Sequence, residues 1–383
     1  MSDGMAAFFE GAYFWKMPPQ AVVNVGPTII NPLPKNYIDA TAKYADQVRL
    51  TESPGGALNV ENYHGGVPFP NPQEPHRAWK VLANVWYRYT PNISVANRSA
   101  GCTLDREGNA RCTIGTVVYR QLSYNTDPGV PPTVPGAEGK YSSLWFMIDE
   151  PEEQRYTAAL TIAYADPARS EDLYAFIPSL RRYQPVSTAA RCSTTDGVDI
   201  TQEDYRGGFD SNITQFKADF IGEKKILALI IPGTMPPGRF PNDYEMPIGW
   251  PAASWGKWQM RDVYVISISK LPKYASGYCY GKRVMYVDKT TYLPLWEELY
   301  DSDMKLWKIV GLFNQTLDVP GVGPVDSSNS LIYSFWDIQN DHASFVADPT
   351  DNPGPFYVNG QVPKEYLDVA RYTTPGGLNM IMR

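Results

Sequence analysis

The sequence predicts a mainly β protein: one large antiparallel sheet with a few helices packed against its concave side. Three observations carry this. After Cys102 the apolar residues recur with a period of two. The turn signals Asp127-Pro128-Gly129, Asp166-Pro167, Asp288-Lys289-Thr290 and Asp301-Ser302-Asp303 cut that stretch into strand-length pieces. Rings suited to pleated surfaces are abundant, with 26 Tyr and 10 Trp against 3 His.

Taken in order, residues 1–33 are dotted with proline and aromatics and read as an irregular arm. Residues 34–49 carry Ile38, Ala42, Ala45 and Val48 at three- and four-residue steps, bordered by Tyr37 and Tyr44, which predicts a helix. Gly55-Gly56 and Gly65-Gly66 mark loops. A second helix is expected over 75–86, with Ala78, Trp79, Leu82, Val85 and Trp86 as its apolar face and Pro91 barring continuation. Both apolar stripes need a partner, and the β region offers the only large one. Strands are expected at 113–124, 141–148, 155–165, 173–185, 216–231, 262–270, 278–287, 292–300, 306–314 and 331–345. The short turns between 262 and 314 imply an antiparallel meander. Residues 34–346 thus read as one domain with an insertion at 232–258, followed by a C-terminal tail at 347–383. The insertion is rich in Pro, Gly and Trp. A loop this long is usually functional, and Trp250, Trp255 and Trp258 are its candidate ligand-covering residues.

Composition excludes some classes of function. The net charge of −7 argues against a nucleic-acid partner. No window approaches the ~20 apolar residues of a membrane helix. Cys102 and Cys112 flank a segment with turn chemistry at Glu107-Gly108-Asn109, so folding about residue 107 sets them opposite each other. Cys192 and Cys279 then remain as a long-range pair, although four cysteines allow three connectivities. No close C-x-x-C pair suggests zinc. The chain opens with Met1-Ser2-Asp3-Gly4, without a basic or apolar leader, and the cysteine pattern points to a processed, exported form.

The sequence offers little catalytic chemistry. His64, His76 and His342 are dispersed, with no G-x-S-x-G elbow, H-E-x-x-H motif, Walker loop or dinucleotide fingerprint, so no catalytic residue, metal or cofactor is expected. The acidic pairs Asp149-Glu150 and Glu297-Glu298 could serve a glycosidase but read as surface. Two constellations stand out. Arg181 and Arg182 end an aromatic strand and precede the acidic run Asp196, Asp199, Glu203 and Asp204. They suit fork-type ion pairs or an anionic headgroup. The run from Trp336 to His342 suits a final strand.

Several blocks resemble a bacterial family of domains of unknown function known as outer-membrane lipoprotein-sorting-like proteins. They include Tyr37-Ile38-Asp39-Ala40-Thr41-Ala42-Lys43-Tyr44 and Asn62-Tyr63-His64-Gly65-Gly66-Val67-Pro68-Phe69-Pro70. The most specific is Phe176-Ile177-Pro178-Ser179-Leu180-Arg181-Arg182 with Ser187-Thr188-Ala189. Asp204-Tyr205-Arg206-Gly207-Gly208, Arg261-Asp262-Val263-Tyr264 and Gly281-Lys282-Arg283-Val284-Met285-Tyr286-Val287-Asp288 follow in order. The run Tyr286 to Pro294 and the turn Asp301-Ser302-Asp303 also look like the core of periplasmic lipoprotein carriers. The resemblance implies an incomplete β-barrel whose concave face holds acyl chains. It also implies a periplasmic or outer-membrane location and a partner among export pumps of the resistance–nodulation–division type. The leading expectation is therefore a non-enzymatic carrier of a hydrophobic or lipid-like ligand, with Arg181 and Arg182 at the mouth. The alternatives are a structural or assembly protein with an aromatic β surface, and a carbohydrate-active enzyme using a carboxylate pair.

Overall fold

The computed structural model describes residues 2–194, 197–233, 240–327, 332–347 and 356–382. Sixteen strands join in one sheet. In chain order they are β1 (Ile93–Leu104), β2 (Ala110–Gln121), β3 (Lys140–Glu150), β4 (Ala158–Tyr164), β5 (Asp172–Ile177), β6 (Arg182–Val186), β7 (Phe216–Ile231) and β8 (Trp258–Lys270). Then come β9 (Lys282–Asp288), β10 (Pro294–Tyr300), β11 (Leu306–Leu312), β12 (Asn314–Val319), β13 (Gly323–Ser327), β14 (Tyr333–Asp337), β15 (His342–Ala347) and β16 (Phe356–Val358). They lie in the order β13-β12-β7-β8-β9-β10-β11-β14-β15-β1-β2-β3-β4-β5-β6, with β16 on β1. All pairings are antiparallel except that of β12 with β7. The end strands β13 and β6 do not pair with each other, so the sheet stays open. The expected meander is present as β8-β9-β10-β11.

The structure corrects several expected boundaries. Strand β1 (Ile93–Leu104) precedes the first expected strand; a bulge between Ala96 and Ser99 switches its parity and hides the period-two pattern. Ile93 and Val95 precede the bulge on the same face that Ala100, Cys102 and Leu104 take after it. Arg98, inside the bulge, takes the left-handed φ of 63°. The expected strand at 173–185 is divided into β5 and β6 by a turn over Pro178–Leu180. The stretch 331–345 is a hairpin, β14 to β15. Its turn is held by Asp337 Oδ1, which accepts from the amides of Gln339 and Asn340 at 3.1 and 2.9 Å.

Helix α1 (Asp3–Phe9) lies in the arm expected to be irregular. Ser2 caps it, and Met5 and Phe8 are buried. Helix α2 (Lys35–Tyr44) buries Tyr37 and leaves Ile38 45% exposed, so the packed stripe runs one residue away from the expected one. Helix α3 (Arg77–Trp86) buries Val81, Ala83 and Asn84 as well as its expected face. It is an interior helix, packed on β7 and β8 and closed over by α2 and the 58–69 segment. Asn84 is satisfied there by Phe69, accepting from its amide at 3.0 Å and donating to its carbonyl at 2.8 Å.

Alternation gives the sheet two faces. One packs Val263, Val265, Tyr286, Leu295, Trp296, Ile309, Trp336 and Phe345 against α1 and the 240–258 segment. Farther along the same face, Val118, Trp145 and Leu160 meet the C-terminal residues Tyr372 and Leu378. The other, inner face carries α3 at one end and a buried ionic row in the middle. At its β1–β3 end lies the cavity described next.

Candidate functional site

The cavity spans four neighbouring strands. Its floor is Val346 of β15, Ser99 and Gly101 of β1, Thr113 and Val117 of β2, and Leu144 and Phe146 of β3; Val198, Ile200, Tyr205 and Tyr333 complete it. Its volume is about 100 Å³. Val117, Leu144, Phe146 and Val346 are only half-buried, although they sit on interior strands of a sixteen-stranded sheet, and Val198 and Tyr205 opposite them are half-buried too. Well-packed interiors leave few voids of this size. A second space of about 20 Å³ adjoins it, sharing Val117 and Leu144 and ending on Arg206.

The roof is an irregular strap, residues 197–215, and buried charge holds it down. Arg283 on β9 donates to Asp204 Oδ1 and Glu297 Oε2, both at 2.6 Å, and to the Gly208 carbonyl. Arg191 donates from Nε to Glu203 at 2.5 Å and from Nη2 to the Asp210 carbonyl. Ser211 also donates to Glu203. Burial works against the charge on Glu203, but Arg191, Lys270 and Ser211 outweigh it and hold the carboxyl below its ordinary range. Burial pushes Glu297 up to about 7 in spite of Arg283, and its Oε1 has no hydrogen-bond partner among the described residues. Burial lowers Lys270 to about 8. Gly208 must be glycine: its φ is +103°, and a Cβ there would stand 2.7 Å from both Glu297 and Leu312.

The residues singled out from sequence fall elsewhere. Arg181 and Arg182 are exposed at the β6 edge and make no ion pair among the described residues; the buried arginines are Arg88, Arg191, Arg206, Arg261 and Arg283. Trp250, Trp255 and Trp258 are 1%, 2% and 4% exposed, on the face opposite the cavity. Trp250 stacks on Trp258 at 4.9 Å and lies 6.0 Å from Trp336. The tryptophans of the 232–258 insertion expected to cover ligand are therefore packed core, together with Phe240, Tyr244 and Ile248, while Pro241, Asn242, Pro247 and Lys257 stay exposed and 234–239 lie outside the described residues. Disulfides join Cys102 to Cys112 and Cys192 to Cys279, as expected.

Other cavities are polar. A groove of about 560 Å³ between β3 and the C-terminal segment carries Asp149, Glu150, Glu152 and Glu365. Glu150 and Glu152 there pair with Arg98 and Arg155. Among the described residues no group of side chains suits a metal ion, and no helix is long and apolar enough to cross a membrane.

The open sheet with helices on its inner face is a fold shared with solved structures. A domain from Vibrio parahaemolyticus described as an outer membrane lipoprotein-sorting protein domain has this fold, with a TM-score of 0.50 and 13% identity over 78% of this chain and 99% of its own. A DUF1329 family protein from Desulfovibrio piger superposes with a TM-score of 0.52 and 12% identity, over 78% of this chain and all of its own (100%). The chain itself belongs to the family described as protein of unknown function (DUF1329), which it matches over residues 2–378. The family resemblance read from the sequence blocks is thereby borne out. No curated protein matches the chain.

Proposed function

We propose that this protein is a non-enzymatic carrier that takes an apolar, lipid-like segment into the cavity under the 197–215 strap. The observation that carries the reading is the set of half-buried apolar side chains on the inner face of β1–β3, around unfilled space. Covering apolar surface gains ~25 cal/mol per Å², which is enough to hold such a segment without covalent chemistry. The volume sets the scale. About 100 Å³ is less than the ~150 Å³ engineered cavity that takes up benzene. A long acyl chain would therefore have to lift the strap, whereas a short one fits with little movement. Two disulfides suit an oxidising compartment, which supports placement in the periplasm or at the outer membrane. A resistance–nodulation–division-type export pump, implied by the family resemblance, is the first acceptor to try for handover.

Titration with the neutral dye N-phenyl-1-naphthylamine tests the reading. One saturable site per chain, emptied by decanol, is expected. Flat fluorescence would overturn it. One observation favours the assembly alternative: Val22, Val23, Val25, Ile29 and Ile30 form an exposed apolar run along the arm. If dye binding is absent, self-association through that run is the reading to test next.

A further inference from the structure

We propose that the ligand is a single-chain amphiphile with a compact anionic head, a carboxylate or a phosphate monoester, seated on Arg206 with its chain in the apolar cavity. This rests on the carrier reading above. Arg206 is 5% exposed, yet its Nε and Nη1 make no hydrogen bond among the described residues. Nη2 donates to the Trp86 carbonyl at 3.1 Å, and the Tyr141 side chain interacts with the guanidinium as well. The nearest carboxylate oxygen, Asp210 Oδ1, stands 3.8 Å from Nη1, longer than a hydrogen bond. The guanidinium lies against the Trp86 ring at 4.4 Å, so it cannot swing toward solvent without losing that contact. An unmade hydrogen bond from a buried charged donor is costly, and an oxygen ligand would relieve it.

Local charge points the same way. Arg88 sits beside Arg206 and donates to its main-chain carbonyl. Burial and the neighbouring Arg206 lower the Arg88 pKa to about 10. Arg88, Arg191 and Arg206 all act on the Asp210 carboxylate, with Glu203 beside Asp210 and Glu297 within reach of Arg88. Burial opposes the charge on Arg206, but Tyr119, Tyr141 and Asp210 outweigh it and keep the group protonated.

The space at Arg206 is about 20 Å³, bounded by Ser94, Ala96, Val117, Tyr119, Leu144 and Phe356. That admits a group the size of one or two water molecules. A carboxylate or a terminal phosphate would enter by displacing the side chains around it by a small amount, and the bulky head of a phosphodiester lipid would need far more room. Val117 and Leu144 line both this space and the apolar cavity, so head and tail would bind in one continuous path.

The test is competition against N-phenyl-1-naphthylamine with decanoate, decyl phosphate, decanol and methyl decanoate. At least one of the two anions is expected to displace dye from the unaltered protein at tenfold lower concentration than either neutral compound, about 1.4 kcal/mol. The tighter anion identifies the head. Arg206→Gln should bring the anions to the level of the ester without weakening the ester, and Arg206→Lys should restore part of the difference. Equal displacement by anions and neutral compounds in the unaltered protein would overturn the headgroup and leave the carrier reading intact. That comparison decides even if the variants fail to fold. Displacement by none of the four would instead defeat the carrier reading itself.

Discussion

On one face of the sheet, Trp250, Trp258, Trp296 and Trp336 stack in a block whose ring separations run from 4.9 to 6.4 Å. On the other, over β1–β3, Val117, Leu144 and Phe146 stay half-exposed beneath an irregular strap. The same strands build both. Trp336 fills the first face, while Tyr333, on the same strand β14, borders the cavity on the second. Each face has its own disulfide too. Cys102 lies in the tryptophan cluster and Cys279 packs against the inner-face cluster. The difference teaches a division of labour. Stability is concentrated where aromatic area is fully covered, and this leaves the inner face free to keep apolar surface uncovered for a guest.

The sharpest way to break that division is to empty the packed face. Trp336 is 0% exposed, and its Nε1 donates to the Ile248 carbonyl at 2.7 Å. Trp336→Ala should cost about 3–5 kcal/mol in urea unfolding. Dye affinity per folded molecule should stay unchanged. If the folded variant no longer binds dye, the two faces are not independent.

The next effect concerns the ionic row. Burial lifts Glu297 from 4.5 to about 7. Between those values the folded protein holds a proton that the unfolded chain has released. This contribution is therefore fully present below the unfolded value and is lost as pH rises to about 7. The slope is at most about 1.4 kcal/mol per unit, and the total about 3 kcal/mol. Glu297→Gln should flatten the fall in stability between pH 5 and 7, measured by chemical denaturation at each pH. An unchanged slope would show that Glu297 is ionised throughout.

The disulfides come third. They close loops of very different length, with sequence separations of 87 for Cys192–Cys279 and 10 for Cys102–Cys112. Restriction of the unfolded chain grows with the logarithm of loop length, so replacing the longer bridge by serines should cost about 2 kcal/mol more. Comparing the two double variants in urea checks this. The variant lacking Cys192–Cys279 should also bind dye more weakly, because that bridge anchors the segment leading into the strap.

How far the sequence showed all this depends on which signal was local. The meander was legible because aspartate-led turns such as Asp301-Ser302-Asp303 sit at its corners; Asp301 Oδ1 accepts from the amides of Asp303 and Lys305. Helix α3 was legible from its apolar spacing, but its burial on all sides was not, since the covering segments are distant in sequence. The start of β1 was hidden by the bulge, which breaks the period-two pattern in mid-strand. The tryptophans misled for a different reason. A lid and a core use the same residues, and only the partners Trp296 and Trp336 decide between them. Arg206 was visible only as part of a family block. Its one local signal is the pair of glycines after it, which lets the chain turn a charged residue inward; Gly207 and Gly208 both take positive φ.

The smallest effect on stability should accompany a large effect on binding, and it sits at Gly101. This glycine lies on the cavity floor, paired with Thr113 on one side and Val346 on the other. A Cβ added there would meet nothing closer than Val198 Cγ1 at 4.0 Å, an ordinary contact. Glycine weakens a strand interior, and a β-branched residue suits a pleated surface. Gly101→Val should therefore stabilise the fold by about 0.5–1 kcal/mol, chiefly by restricting the unfolded chain. Its two methyl groups would occupy part of a space of only about 100 Å³, so dye binding should fall more than tenfold. Gly208→Ala is the control in the opposite sense, since its Cβ has no room and its φ is +103°. It should destabilise the strap and loosen binding together. A Gly101→Val protein that is more stable and binds dye as before would place the ligand outside this cavity. The acidic groove at Asp149 and Glu365 would then be the region to examine.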